Sequence, residues 1–433
     1  MSRSRPKNKN TESDPSSICI TKMSHILYLS GFVDFLGVSM IMPLVLPQAR
    51  ELGASPTLAG AIGSVYGGLQ LFSSPIIGKW SDTVSRQFSL VVCLLMSGLG
   101  YASLGIYSSL AVLFVGRLVL GCFKHSQTIT KAFLADVLPK ESLTGALGSF
   151  NSFSSIGFIL GPIIGGHLAE TRGGFTLVAF VAGAIFVCNA VLVWWAIPTN
   201  FSASHHHSSS KMIKEDSSTS LKKLGSDEID FSFSKMVKSF REFDWIELWD
   251  LFLIKFLAGF SVIIFRTNFT MVLKLKFDAS PKTLGYLTSY SGVVATLSGF
   301  ILGKVTQKYK SNAKLFLHVT VLQVITLMCL TWSSSLHLLL IFLMPLSLVT
   351  CISRVSSTTL TISRCGDSAV GSIMGLSQSV MSIARMIAPF IAGLAQEFSI
   401  DGASYISILA AAFSVILMLF RPQCPQVRKE KLS

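Results

Sequence analysis

The stretch ILYLSGFVDFLGVSMIMPLVLP, residues 26–47, decides the fold, and Asp34 is the one charge in it. A bilayer core about 30 Å thick is crossed by ~20 apolar residues in a helix, so this stretch is long enough for one crossing. Comparable apolar blocks follow at 58–78, 88–106, 110–130, 143–168, 174–197, 246–273, 283–303, 313–333, 335–353, 369–396 and 402–420. Half of all residues are hydrophobic, 13% are charged and the mean hydropathy is +0.60. Soluble domains carry about 25% charged residues. The expected fold is an all-α membrane protein with about twelve transmembrane helices.

A formal charge of +14 invites a nucleic-acid partner, but the distribution of the charges points to a lipid bilayer. Basic residues collect in cytoplasmic loops of membrane proteins. Here they precede the first block (Arg3, Arg5, Lys7, Lys9, Lys22) and follow the second (Lys79, Arg86), the fourth (Lys131, Lys140) and the eighth (Lys304, Lys308, Lys310, Lys314). Others fill the centre of the chain and its end, where Arg421, Arg428, Lys429 and Lys431 lie. The expected outer loops are sparse in basic residues, with Arg50 and Arg172, and the cluster Lys274, Lys276 and Lys282 runs against the pattern. Both termini are therefore expected to be cytoplasmic, with no nucleic-acid partner. The eight cysteines have neither zinc nor disulfide spacing. Metal ligands, a cofactor and a cleaved signal peptide are not expected.

The blocks divide six and six. The expected plan is a tail (1–25), a six-helix bundle (26–197), a linker (198–243), a second six-helix bundle (244–420) and a tail (421–433). The linker is rich in Ser and Lys and includes His205, His206 and His207. At its end, Phe231, Phe233, Met236, Val237 and Phe240 alternate with basic residues, as in an interfacial helix or, alternatively, a disordered lead-in to block seven. The halves are related. Blocks five and eleven align without gaps, matching Gly148 to Gly375, Pro162 to Pro389, Gly166 to Gly393 and Glu170 to Glu397. Parallel six-helix repeats are one architecture of alternating access. Gly157, Gly161 and Gly165 recur every four residues and, with Pro162 and Gly166, predict a close, sliding seam between the halves, with ordinary helix packing as the alternative.

Four motifs carry a family resemblance. They are the Asp34-containing, Pro43-terminated first helix; Gly78-Lys79-Trp80-Ser81-Asp82 with Arg86; Gly116-Arg117 with Gly121; and Gly157-x-x-x-Gly161-Pro162-x-x-Gly165-Gly166. Over nearly its whole length the chain resembles the major facilitator superfamily, in its tetracycline-antiporter-like branch of drug/proton antiporters. The loop after block two departs from the family pattern at Thr83, Ser85 and Gln87, and Leu120 stands where the family has Gln. The resemblance implies a secondary transporter of a small solute. It also implies a conformational latch at Gly78, Asp82 and Arg86, and a cavity lined by blocks one, four, seven and ten.

Charges inside the blocks fall mainly on those four: Asp34; Arg117, Lys124 and Lys131; Lys255 and Arg266; and Arg354, with Arg385 in block eleven the outlier. A charge at mid-membrane costs ~2.5–3.5 kcal/mol and normally faces a cavity or a partner. Arg117, Lys124 and Lys131 are spaced to lie in line on one helix. Lys131, Lys255 and Arg354 are near enough to block ends to snorkel. The expected cavity is electropositive, which favours an organic anion held by Arg117, Lys124 and Arg266, with Ser39 and Gln127 orienting it. Gln70, Thr128 and Asn268 are further polar candidates. Asp34 is the proton-coupling candidate, with a structural ion pair as the alternative. No phosphate-binding loop or catalytic cluster is present, so no enzyme is expected. A solute receptor without net flux is the rival reading.

Overall fold

The computed structural model describes residues 15–106, 109–197, 245–309, 311–365 and 370–421, and all regular structure among them is helical. The first half contains α1 (Pro15–Ile41), α2 (Val45–Glu51), α3 (Pro56–Thr83), α4 (Arg86–Ile106), α5 (Leu110–Phe123), α6 (Ser126–Val137), α7 (Lys140–Ala169) and α8 (Gly174–Ala196). The second contains α9 (Trp245–Phe277), α10 (Pro281–Lys308), α11 (Asn312–Thr331), α12 (Leu336–Cys365), α13 (Val370–Phe398) and α14 (Gly402–Phe420). His205–His207 and the stretch from Phe231 to Arg241 lie outside the described residues.

Among the described residues, nine segments are long and apolar enough to cross a membrane. The other three expected crossings are α3, α10 and the α5–α6 pair. Helices α3 and α10 have 28 residues each, a length of ~42 Å at 1.5 Å per residue. They are less apolar because their Gly- and Ser-rich faces meet the opposite bundle rather than lipid. Two boundaries shift. Helix α1 already begins at Pro15, inside the expected tail, and α12 runs on to Cys365. Arg354 is therefore well inside its helix and is not at the end from which it was expected to snorkel.

The Gly157–Gly161–Gly165 stripe does not form the seam between the bundles. It packs on α1 within the first bundle. A Cβ on each would overlap the backbone of Phe32, Leu36 and Met40 respectively. Its neighbours on the next face of α7, Pro162 and Gly166, do meet the second bundle, at Gly285 and Pro281 of α10. Pro56 and Gly60 of α3 meet Gly393 and Pro389 of α13 in the same way. These contacts lie at one end of the molecule, called here the outer face because it is opposite the start of α1 and the end of α14. Toward the other face, a Cβ on Gly78, Gly145, Gly148 or Gly299 would meet nothing within 4 Å. The bundles are thus closed at the outer face and separate toward the inner one.

The two kinds of glycine make opposite predictions. Gly165→Ala should lower stability by ~1–3 kcal/mol through overpacking. Gly148→Ala should leave it unchanged or raise it by up to ~1 kcal/mol through helix propensity. Thermal unfolding in matched detergent checks both.

Candidate functional site: a buried ion pair and a cluster of arginines

Block four does not form one continuous helix. Lys124 has φ −77° and ψ 64°, and the His125 N–H donates to the Phe123 carbonyl at 2.8 Å. This is an inverse γ-turn, and it ends α5 and starts α6. Helix α3 satisfies the backbone freed by the break. Gln70 Nε2 donates to the Lys124 carbonyl at 3.0 Å and Ser73 Oγ to the Gly121 carbonyl at 3.0 Å, while His125 Nε2 lies 2.7 Å from Ser73 Oγ.

The break turns Lys124 onto Asp34. Lys124 Nζ reaches the two carboxylate oxygens at 2.7 and 2.8 Å, and both residues are buried, at 7% and 2% exposure. The first two residues of α6 complete the shell. Ser126 Oγ donates to Asp34 Oδ1 at 2.6 Å and Gln127 Nε2 to Oδ2 at 3.0 Å. Asp34 therefore lies at a half-helix N-terminus, where a negative charge is favoured. Lys124 Nζ is also 4.8 Å from the ring centre of Phe186, which stacks on Tyr101 at 5.0 Å.

The expected alignment of Arg117, Lys124 and Lys131 fails because of this break. Arg117 lies over the Tyr66 ring of α3 at 5.2 Å, Lys124 binds Asp34 of α1, and Lys131 lies 5.7 Å from the Phe150 ring of α7. Lys255, expected to snorkel, is buried. Two of the expected ligand contacts are also structural. Ser39 Oγ is buried and donates to the Gly157 carbonyl at 3.2 Å, joining α1 to α7. Gln127 belongs to the Asp34 shell.

The arginines are placed differently. Arg266, Arg354 and Arg385 are exposed although each lies within a long helix. Among the described residues, none of these three nor Arg117 forms an ion pair. Arg117 Nε is buried without a hydrogen-bond partner among them, as is Asn268 Nδ2. Tyr66 lies within electrostatic reach of Arg117, Arg385 and Asp34, and Arg266 within reach of Arg354. The outlier Arg385 thus lies within electrostatic reach of the same tyrosine as Arg117, from the opposite bundle. Tyr66 and Ser126 have no counterpart in the sequence reading. A lone Tyr among apolar residues and a Ser in a broken helix carry no distinctive pattern.

Family comparison completes the picture. The sequence profile of the Major Facilitator Superfamily matches residues 27–249 and 251–432. The chain belongs to the major facilitator superfamily. It is accordingly a membrane transporter and not an enzyme. It is 30% identical to the class E tetracycline resistance protein of Escherichia coli over 167 residues, covering 37% of this chain and 41% of that one. To human solute carrier family 67 member A1 it is 24% identical over 414 residues, covering 94% and 93%. In three dimensions it resembles the human organic anion transporter MFSD10, with a TM-score of 0.63, 16% identity and coverage of 94% and 100%.

The superfamily's loop after the second helix is present in altered form. Arg86 bonds Asp82, Ser81 Oγ (2.7 Å) and Asp136 (2.7 Å), all within the first bundle. Beside it, Gly78, Ser81 and His125 help line a cavity of about 290 Å³. Among the described residues the network makes no ion pair with the second bundle, as expected where the inner ends are apart.

The ion pair carries a stability prediction. Asp34→Ala should cost ~3–5 kcal/mol, because it leaves Lys124 buried and unpaired. Removing Lys124 as well should cost less than the sum of the two single changes. Denaturant unfolding of the three variants in nanodiscs measures the coupling.

Proposed function

We propose that the cleft carries a small organic anion and that Asp34 couples its movement to protons. The observation that carries the reading is the set of four arginines, Arg117, Arg266, Arg354 and Arg385, with no ion pair among the described residues. An uncompensated guanidinium in a low-dielectric cleft attracts an anion, and its planar fork suits a carboxylate or phosphate. Arg117 and Arg385 come from different bundles, so an anion between them would join the two halves. The same fold serves organic anions in human MFSD10.

Lys124 enters this scheme through Asp34. A proton on Asp34 removes the charge that holds Lys124 Nζ and frees it for the anion. An anion that draws Lys124 away leaves Asp34 a buried carboxylate that needs a proton to be neutral. Proton and anion therefore favour each other's binding. Thr128 and Asn268 can add polar contacts.

Uptake of a panel of organic anions into proteoliposomes, with and without an inward proton gradient, tests the proposal. Wild type should take up an anion and respond to the gradient. Arg117→Ala with Arg266→Ala should cut uptake at least ~10-fold, since one charged hydrogen bond contributes ~1.5–3 kcal/mol. Asp34→Asn should keep binding and lose the response to the gradient. Uptake of cations that survives the double arginine change would refute the anion reading.

A further inference from the structure

The outer face holds a repeat that goes beyond the aligned glycines of α7 and α13. Helix α3 is entered through Ala54-Ser55-Pro56 and continues to Gly60 and Ser64; α10 is entered through Ala279-Ser280-Pro281 and continues to Gly285 and Ser289. The residues before these triplets, Gly53 and Asp278, both have positive φ, 87° and 46°. Each of these helices lies against a partner of the form Pro-x-x-x-Gly-x-x-x-Glu from the other bundle. For α3 the partner is Pro389, Gly393 and Glu397 of α13; for α10 it is Pro162, Gly166 and Glu170 at the end of α7.

The two seams repeat each other in their glycine–carbonyl contacts. A Cβ on Gly60 would overlap the Pro389 carbonyl oxygen, and one on Gly285 the Pro162 carbonyl oxygen. A Cβ on Gly393 would overlap the Pro56 carbonyl oxygen, and one on Gly166 would approach the Pro281 carbonyl oxygen to 2.6 Å. The serines attend to the proline-kinked backbone opposite. Ser64 Oγ accepts from the Phe390 N–H at 2.9 Å, and Ser289 Oγ donates to the Ile159 carbonyl at 2.6 Å.

The carboxylates complete the match. A helix starts with orphan N–H groups. Proline at the first position of α3 and of α10 has none to offer. At the third position, Ser55 Oγ accepts from Leu58 N–H at 3.2 Å and Ser280 Oγ from Thr283 N–H at 3.3 Å. The second position is left to the other bundle. Glu397 accepts the Thr57 N–H at 3.2 Å, and Glu170 accepts the Lys282 N–H at 3.3 Å. The Ser280 hydroxyl, and then the Lys282 N–H and charge, hold the Glu170 carboxyl below the usual carboxylate range. Arg50 provides charge near Glu397, and His167, which contacts Tyr286 of α10 at 3.2 Å, lies near Glu170.

We propose that Glu170 and Glu397 are the paired gating residues of the outer face, each closing it by capping the first turn of a helix in the opposite bundle. These caps form only when the outer ends touch, so they stabilise the inward-open state and must break when the cleft opens outward. The interlocked glycines fix the distance of approach, and the carboxylates add a charge-dependent part beside the Lys274–Glu51 ion pair, which also joins the bundles at this face. The inference rests on alternating access between the bundles and on no particular substrate, so failure of the anion reading would leave it standing.

The test is a spin-label distance measurement across the outer face, with Ala111→Cys and Ser334→Cys as label sites and the native cysteines replaced. No substrate is added. The wild-type labels should give predominantly one short distance. Glu170→Gln with Glu397→Gln keeps the side-chain bulk and removes the charge. It should raise the population at longer distance about 3- to 30-fold, the range that two charge–dipole contacts supply. Each single substitution leaves one cap intact and should give a smaller rise. A distance distribution unchanged from wild type in the double and single variants would overturn the proposal.

Discussion

A charge inside a bilayer must find a partner or water, and this constraint organises the centre of the molecule. Asp34 and Lys124 meet it by pairing with each other. The pairing requires Lys124 to leave the helical path, which is why α5 ends at Phe123 and α6 begins at Ser126. The break in turn places Ser126 and Gln127 on the carboxylate and exposes backbone groups that Gln70 and Ser73 satisfy. One ion pair therefore fixes the relation of α1, α3 and α6.

The arginines meet the same constraint without carboxylates. Arg266, Arg354 and Arg385 are exposed within long helices, a placement that suits a water-filled cleft, while Arg117 lies over the Tyr66 ring. The cleft exists because the bundles touch only toward the outer face, where glycines let backbones approach and prolines present carbonyls to them. Close packing there and separation at Gly78, Gly148 and Gly299 are two sides of one tilt between the halves.

Much of this was legible in the sequence. The apolar blocks marked the crossings, and basic-residue bias implied their direction. The charges inside the apolar blocks singled out Asp34, Arg117, Lys124 and Arg266. What escaped was set by geometry between helices. Periodicity put Arg117, Lys124 and Lys131 in line because it assumes an unbroken helix, and no Pro or Gly announces the turn at Lys124. The glycine stripe of α7 was assigned to the wrong neighbour: a small-residue face signals close packing but does not name its partner. Arg385 looked like an outlier until α13 was placed against α3. The Ala-Ser-Pro repeat at residues 54–56 and 279–281 was visible in the sequence, but its meaning depends on the glutamates that face it across the seam.

In the proposed mechanism Lys124 is shared between Asp34 and an anionic solute. Proton uptake on binding measures this directly. Purified protein in weakly buffered solution is mixed with an anion that it transports, and the pH change is recorded. Wild type should take up about one proton per anion bound, and Asp34→Asn none. Anion binding with no proton uptake by wild type would contradict the mechanism.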